Sequence, residues 1–386
     1  MRLIESLATT DALSAAFSDD ALLAGMLRFE AALVRAQADA GLAPPSAADA
    51  IARVTIEAFE AAALARAARE SGTPAIAFVA ALTERVRAQD PAAAAFVHRG
   101  ATSQDVTDTA MVLCLRDAAG IMAGDQQRLA AALREVSDRH HGTVMLARTL
   151  LQPAAPTTFG LRAARWFAGA ERGYGRVAAA FEDARVLQLG GPVGTLAAFG
   201  EHAEVIAERA AAHLDLAWPG APWHTERDRF AALVTACAVH TGALAKIARD
   251  VALMMQPEIG EASEPGGGSS SMPHKRNPAG CALILAAATR LPGLAAAALS
   301  GLANEHERGL GGWHADMLTA AEAVQTSGSA LAAAATIVSQ LTVDPERMRR
   351  NLEAARGIVF PAGGRPDDHL GSAERFRRRL LGNAQG

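Results

Sequence analysis

From about Thr225 to Gln256 the apolar residues Phe230, Leu233, Cys237, Leu244, Ile247, Val251 and Met254 recur at three- and four-residue steps, with alanine filling much of the space between. That period belongs to a helix. A helix over this span would be roughly 48 Å long at 1.5 Å per residue. A near-heptad apolar seam of that length is stable when it is buried against several neighbouring helices. Similar seams run over 105–139, 279–304 and 317–341. Half of the residues are hydrophobic but only 4% are aromatic, so the apolar mass is Ala, Leu and Val. These small side chains favour helices and allow them to approach closely. No alternating β-branched run bounded by turns is present. The expected fold is all-α, built on a central bundle of long helices.

Breaks divide the 386 residues. Gly- and Pro-rich stretches at 189–195, 216–222 and 264–268 interrupt the helical pattern. Residues 1–100 read as an N-terminal helical domain, 101–341 as the bundle, and 342–386 as a short C-terminal helical domain. The basic run from Arg375 to Arg379 suits the last turns of a helix. Lys+Arg 37 against Asp+Glu 41 gives a net charge of -4. That balance argues against a nucleic-acid partner, which calls for a basic stripe. Cys114, Cys237 and Cys281 form no CxxC pair, so no disulfide framework or zinc cluster is expected. His140 and His141 lack a spaced partner for a metal. The N-terminus lacks the charged-then-apolar run of a signal peptide. No window of about 18 residues is apolar without interruption, because Arg290 breaks the best candidate, 281–302. A cytoplasmic protein without membrane association is expected.

The densest polar cluster is 266–278, Gly-Gly-Gly-Ser-Ser-Ser-Met-Pro-His-Lys-Arg-Asn-Pro. Three glycines let the backbone approach a ligand and present N–H groups to an anion. Lys275, one of only two lysines in the chain, and Asn277 add a cation and an amide on the same segment.

This string resembles the motif Gly-Ser-Ser-x-Met-Pro-x-Lys-x-Asn-Pro of the fumarase/aspartase superfamily. The resemblance covers most of the chain. Residues 17–44 are similar to the superfamily's N-terminal helix. His98-Arg99-Gly100-Ala101-Thr102-Ser103-Gln104-Asp105 is similar to its first active-site segment, 143–160 to its second, and 268–278 to its third. The resemblance implies a fumarase/aspartase-like fold in which the bundle forms the core of a homotetramer, with each site shared between subunits. It implies a small polycarboxylate substrate and no metal or other cofactor. In such chemistry a bond forms or breaks β to a carboxylate, and negative charge builds on that carboxylate's oxygens. Fixed cations and amide donors are needed there, with a group that moves a proton on carbon. By position in the motif, Ser269 is the proton-transfer residue. Lys275 and Asn277 would grip the carboxylate, with Ser270, Thr102, Ser103, Thr149 and Gln152 beside them. His98 stands where the superfamily places a His near the substrate, and Arg99 follows it.

The departures narrow the expectation. Lyase members carry Thr-His-x-Gln in the second segment, and the His is an acid/base partner. Here the run is Thr149-Leu150-Leu151-Gln152, and Leu150 can neither take nor give a proton. The bacterial 3-carboxymuconate cycloisomerases of the superfamily also lack this His. The runs 188–195, Trp223 to Asp228, and His306-Glu307-Arg308 followed by Gly311-Gly312-Trp313 are similar to that branch, which adds His224, His306 and Arg308 as substrate contacts. The branch closes a tricarboxylate diene to a γ-lactone in aromatic catabolism. A fumarate-releasing lyase and a non-enzymatic helical scaffold stay open as alternatives.

Overall fold

The structure, a computed structural model, describes residues 2–268, 271–272, 275–359 and 365–382. Among these, Ser103–Arg139, Phe159–Ala184, Asp228–Met254, Ala279–Ser300 and Gly312–Ser339 make up the long bundle. Asp228–Met254 lies against Phe159–Ala184, Ala279–Ser300 and Gly312–Ser339. The seam residues Phe230, Leu233, Cys237, Leu244, Ile247, Val251 and Met254 are all buried. The helix begins three residues later than the apolar pattern, after Arg227 rather than at Thr225. The N-terminal helix Asp19–Asp39 packs on Ser103–Arg139 through Met26, Phe29, Leu33 and neighbours. Ser18 caps it by accepting the Ala21 N–H at 3.2 Å, which satisfies one of the free donors of the first turn.

The long helices run back and forth between two ends. Ser103–Arg139 has 37 residues and so spans about 55 Å. Asp228–Met254 has 27 and spans about 40 Å. One end holds residues 98–105, 190–196, 223–227 and 301–316. It is tied by Arg227, whose guanidinium donates to Asp108 at 2.7 and 3.0 Å and to Asp316 at 2.7 Å. The far end holds 139–160, 255–268, 275–280 and the described C-terminal residues from Leu341. There Arg148 forms a two-fold pair with the fully buried Glu261 at 2.9 Å. Asn351 donates to the same carboxylate at 2.8 Å. Arg377, in the helix Ala373–Leu380, is turned inward onto Asp138 and Glu374. The basic run therefore anchors the C-terminal helix as well as decorating it.

Short strand pairings appear where sequence reading found no strand. Val144–Thr149 pairs antiparallel with Gln152–Thr158, with an irregularity between Leu146 and Arg148. Ala262–Ser263 pairs with Thr342–Val343. Prolines 153 and 156 sit in the first hairpin, which is an edge in both strands and so tolerates them. Its two-residue turn is Leu150-Leu151 at φ +51 and +65. Tight hairpin turns demand positive φ, and Asn-Gly is the usual choice. Leucine there costs on the order of 1–2 kcal/mol per residue. Both side chains stand in solvent, at 97% and 73% exposure.

Asp228–Met254 and Ala279–Ser300 are each long and apolar enough to cross a membrane by length and composition. The first is wrapped by its own chain. The second leaves Ala282, Ala286, Ala296 and Leu299 uncovered.

His240 is fully buried within Asp228–Met254, and neither ring nitrogen has a partner among the described residues. It packs edge-on to Tyr174 at 5.7 Å. Burial pushes its pKa down to about 4, so the unfolded chain takes up a proton that the folded chain refuses. Stability is therefore present above the unfolded value of about 6.5 and is lost as pH falls toward 4. Between pH 7.5 and 5 the loss should be about 2 kcal/mol from this group. Denaturant melts of wild type and His240→Leu at both pH values check it. Equal acid sensitivity in the two proteins would refute the assignment.

Candidate active site

At the near end the chain after Val97 turns sharply into Ser103–Arg139, and His98 sits at φ +58. Glu30, fully buried in the N-terminal helix, holds this residue twice. Its Oε2 accepts the His98 backbone N–H at 2.8 Å, and its Oε1 meets His98 Nδ1 at 2.7 Å. Burial would lower the His98 pKa, but the hydrogen bond and charge of Glu30, aided by Asp105, outweigh it and raise the pKa above the ordinary value. The ring remains 21% exposed. Arg99 points away, donating to the Leu42 carbonyl at 3.0 Å and lying over the Phe96 ring.

Thr102 caps the long helix, and Asp105 in its first turn is the hub of the near end. Its Oδ2 accepts the N–H of Thr102 and of Gly191, both at 2.9 Å. Its Oδ1 accepts the Gly190 N–H at 3.0 Å and meets His224 Nε2 at 2.7 Å. Gly191 has φ +71, and a Cβ there would collide with the Gly100 carbonyl. His224 is only 4% exposed, with its Nε2 engaged by Asp105. Ser103 is half-buried at the helix start. His306 is exposed at φ +49, and Arg308 reaches the Pro192 carbonyl at 3.2 Å. The structure thus gathers His98, Arg99, Thr102, Ser103, His224, His306 and Arg308 at one end.

Thr149, Gln152, Lys275 and Asn277 lie at the other. Thr149 and Gln152 are exposed and close the hairpin as a facing pair. The described residues on either side of the third segment are tied to one another. Glu264 accepts the N–H groups of Gly280 at 2.7 Å and Cys281 at 2.9 Å, stabilising the start of Ala279–Ser300. The Asn277 N–H donates to the Gly267 carbonyl. The Asn277 side chain donates one N–H to the Gly268 carbonyl at 3.1 Å. Gly267 has φ +74, and a Cβ would run into the Asn277 carbonyl. Lys275 is exposed. Ser269 and Ser270, with Pro273 and His274, lie outside the described residues. No cluster of metal-ligating side chains occurs among the described residues.

Sequence reading overlooked Glu30, Asp105, Glu261 and Glu264 as site-building groups. Glu30 did carry a signal: it is an acid on the buried face of a helix, beside Met26, Phe29 and Leu33. A carboxylate in such a seam needs a partner.

The sequence pattern of a family described as lyase matches residues 5–293. The chain belongs to the lyase family. Among its lyase-family relatives, a 3-carboxy-cis,cis-muconate cycloisomerase of Bradyrhizobium diazoefficiens is 45% identical, covering 93% of this chain and 80% of that protein. A nitrosuccinate lyase of Streptomyces davaonensis is 43% identical, covering 89% and 75%. The crystal structure of the 3-carboxy-cis,cis-muconate lactonizing enzyme from Pseudomonas putida superimposes with a TM-score of 0.93 at 35% identity, over 99% of this chain and 98% of that one. The fold is that of fumarase/aspartase-type lyases, as the motif implies.

Proposed function

We propose that this lyase-family enzyme closes 3-carboxy-cis,cis-muconate to a carboxymuconolactone in a homotetramer. The carrying observation is the hairpin tip. A lyase that expels an amine or water needs an acid to protonate the leaving group. Leu150 and Leu151 offer none. Lactone closure needs none, because the nucleophile is the substrate's own ionised carboxylate, already held beside the double bond. Its oxygen forms the C–O bond, and the π pair moves to the carbon α to another carboxylate. Lys275 stabilises the charge that spreads onto those carboxylate oxygens. Ser269 delivers the proton to carbon, with His98 facing the anion. Arg308, Thr102, Thr149 and Gln152 would complete the grip, while His224 and Asn277 hold the frame. No metal or cofactor is required by this scheme. The names of the relatives support it.

Distance supports an assembly of several copies. In one chain the near-end group and the far-end group are about 40 Å apart along Asp228–Met254, so one protomer cannot bring them together. The uncovered apolar stripe of Ala279–Ser300 supplies a face for other copies, since large bare apolar patches are uncommon on soluble monomers.

Purified protein given 3-carboxy-cis,cis-muconate should remove the diene absorbance without releasing fumarate. Consumption of nitrosuccinate instead would place it with that relative, and inertness toward both would defeat the catalytic reading. Lys275→Met should lower kcat/KM by about 10- to 100-fold, because a charged hydrogen bond contributes about 1.5–3 kcal/mol. An unchanged kcat/KM would show Lys275 to be outside the site.

A further inference from the structure

We propose that Glu30 is a positioning residue that holds His98 as an oriented imidazolium, with its Nε2–H presented to the anionic substrate. The inference rests on the reading of His98 as part of the site and goes beyond it. One carboxylate, with no exposure of its own, binds both the backbone N–H and the ring Nδ1 of the same residue. This fixes a non-glycine residue in the left-handed region, a conformation that persists only where its surroundings enforce it. With Nδ1–H donating to Glu30, the free position of the ring is Nε2, which has no hydrogen-bond partner among the described residues. A buried carboxylate on one nitrogen makes the other a better proton donor site at neutral pH, because the cation is retained.

The charged groups acting on the ring come from two packed elements. Glu30 comes from the N-terminal helix, and Asp105 from the first turn of Ser103–Arg139. Asp105 is already shared among three backbone N–H groups and His224. Arg99 is adjacent in sequence but turned onto Leu42 and Phe96. Glu30 is thus the principal holder of the His98 proton. A group with a raised folded pKa keeps its proton up to that value, so the working form is lost as pH rises through it.

The test titrates His98 directly and by rate. In the assembled enzyme, acylation of His98 by diethyl pyrocarbonate, followed by mass spectrometry of its peptide, reports the neutral ring as a function of pH. The wild-type midpoint should lie above 6.5. Glu30→Gln keeps the shape but not the charge, and should move it down by about one pH unit or more. The falling alkaline limb of kcat/KM should shift with it. Glu30→Asp keeps the charge and should hold the midpoint near wild type. A wild-type midpoint below 6.5 overturns the proposal even if Glu30→Gln does not fold. So does a Glu30→Gln protein that loses activity with an unmoved midpoint, since that describes a merely structural residue. A shifted midpoint in a protein that does not turn over the muconate leaves the Glu30 assignment standing and removes the substrate reading.

Discussion

Ser269→Ala should lower kcat by about 100- to 10,000-fold, the usual contribution of a general acid–base group, with little change in melting temperature. In sequence, Ser269 follows Gly268, whose carbonyl accepts the Asn277 side chain at the neck that Glu264 also ties. Under the proposed mechanism its loss removes the proton donor. His98→Asn should be similarly inactive if, as proposed, its ring faces the substrate. The two inactive proteins should then repair each other. His98 and Lys275, a described residue of the motif that contains Ser269, sit at opposite ends of each chain, so under the proposed assembly a site takes the two segments from different copies. After dissociation and reassembly of an equimolar mixture, about a quarter of sites should receive neither substitution, if subunits mix at random in a closed assembly. Activity of the mixture is the readout. Hybrid tetramers without any recovery would refute shared sites, as would an active monomer in sedimentation. A fall of only a few-fold in Ser269→Ala would move the proton-transfer role elsewhere.

Arg227→Met should destabilise the fold by about 3–5 kcal/mol, the range for removing one partner of a buried ion pair. Arg227 is 2% exposed. It lies between the rings of Trp223 and Phe230 at 4.9 and 5.0 Å while binding Asp108 and Asp316. Without it, two buried carboxylates face one another. Burial already raises the Asp316 pKa even with Arg227 in place. In the variant it should rise further, so the folded form takes up a proton as pH falls, and folding becomes more favourable in that direction. The stability deficit should therefore shrink between pH 8 and pH 5. Melts across this range check both parts. Replacing Asp108 and Asp316 with Ala alongside Arg227→Met should recover much of the loss. A deficit that grows toward acid would contradict the account.

The seams were legible because alanine and leucine at helical spacing leave few other ways to bury apolar surface. Hence the helix over 228–254 differs from its pattern by only a few residues. The first hairpin was not legible. Prolines 153 and 156 and a Leu-Leu turn carry none of the usual strand or turn chemistry, and the hairpin is held by Arg148 on Glu261, residues 113 positions apart. The proposed site was read as residue types in a motif. The resemblance implied segments from different subunits, but which of them share one end of a chain was not legible, since that depends on which way each long helix runs. Nor could spacing show that Asn277 donates to the Gly268 carbonyl, or that His224 is buried against Asp105.

The length of Ser103–Arg139 reaches into solution behaviour. It keeps each chain's two half-sites apart, so under the proposed assembly the number of working sites is set by mass action as much as by folding. Diluting the enzyme below the dissociation constant of its subunits should reduce the rate per chain while circular dichroism still reports intact helices. Specific activity then varies with protein concentration, and a substrate bridging two copies should hold them together and restore it.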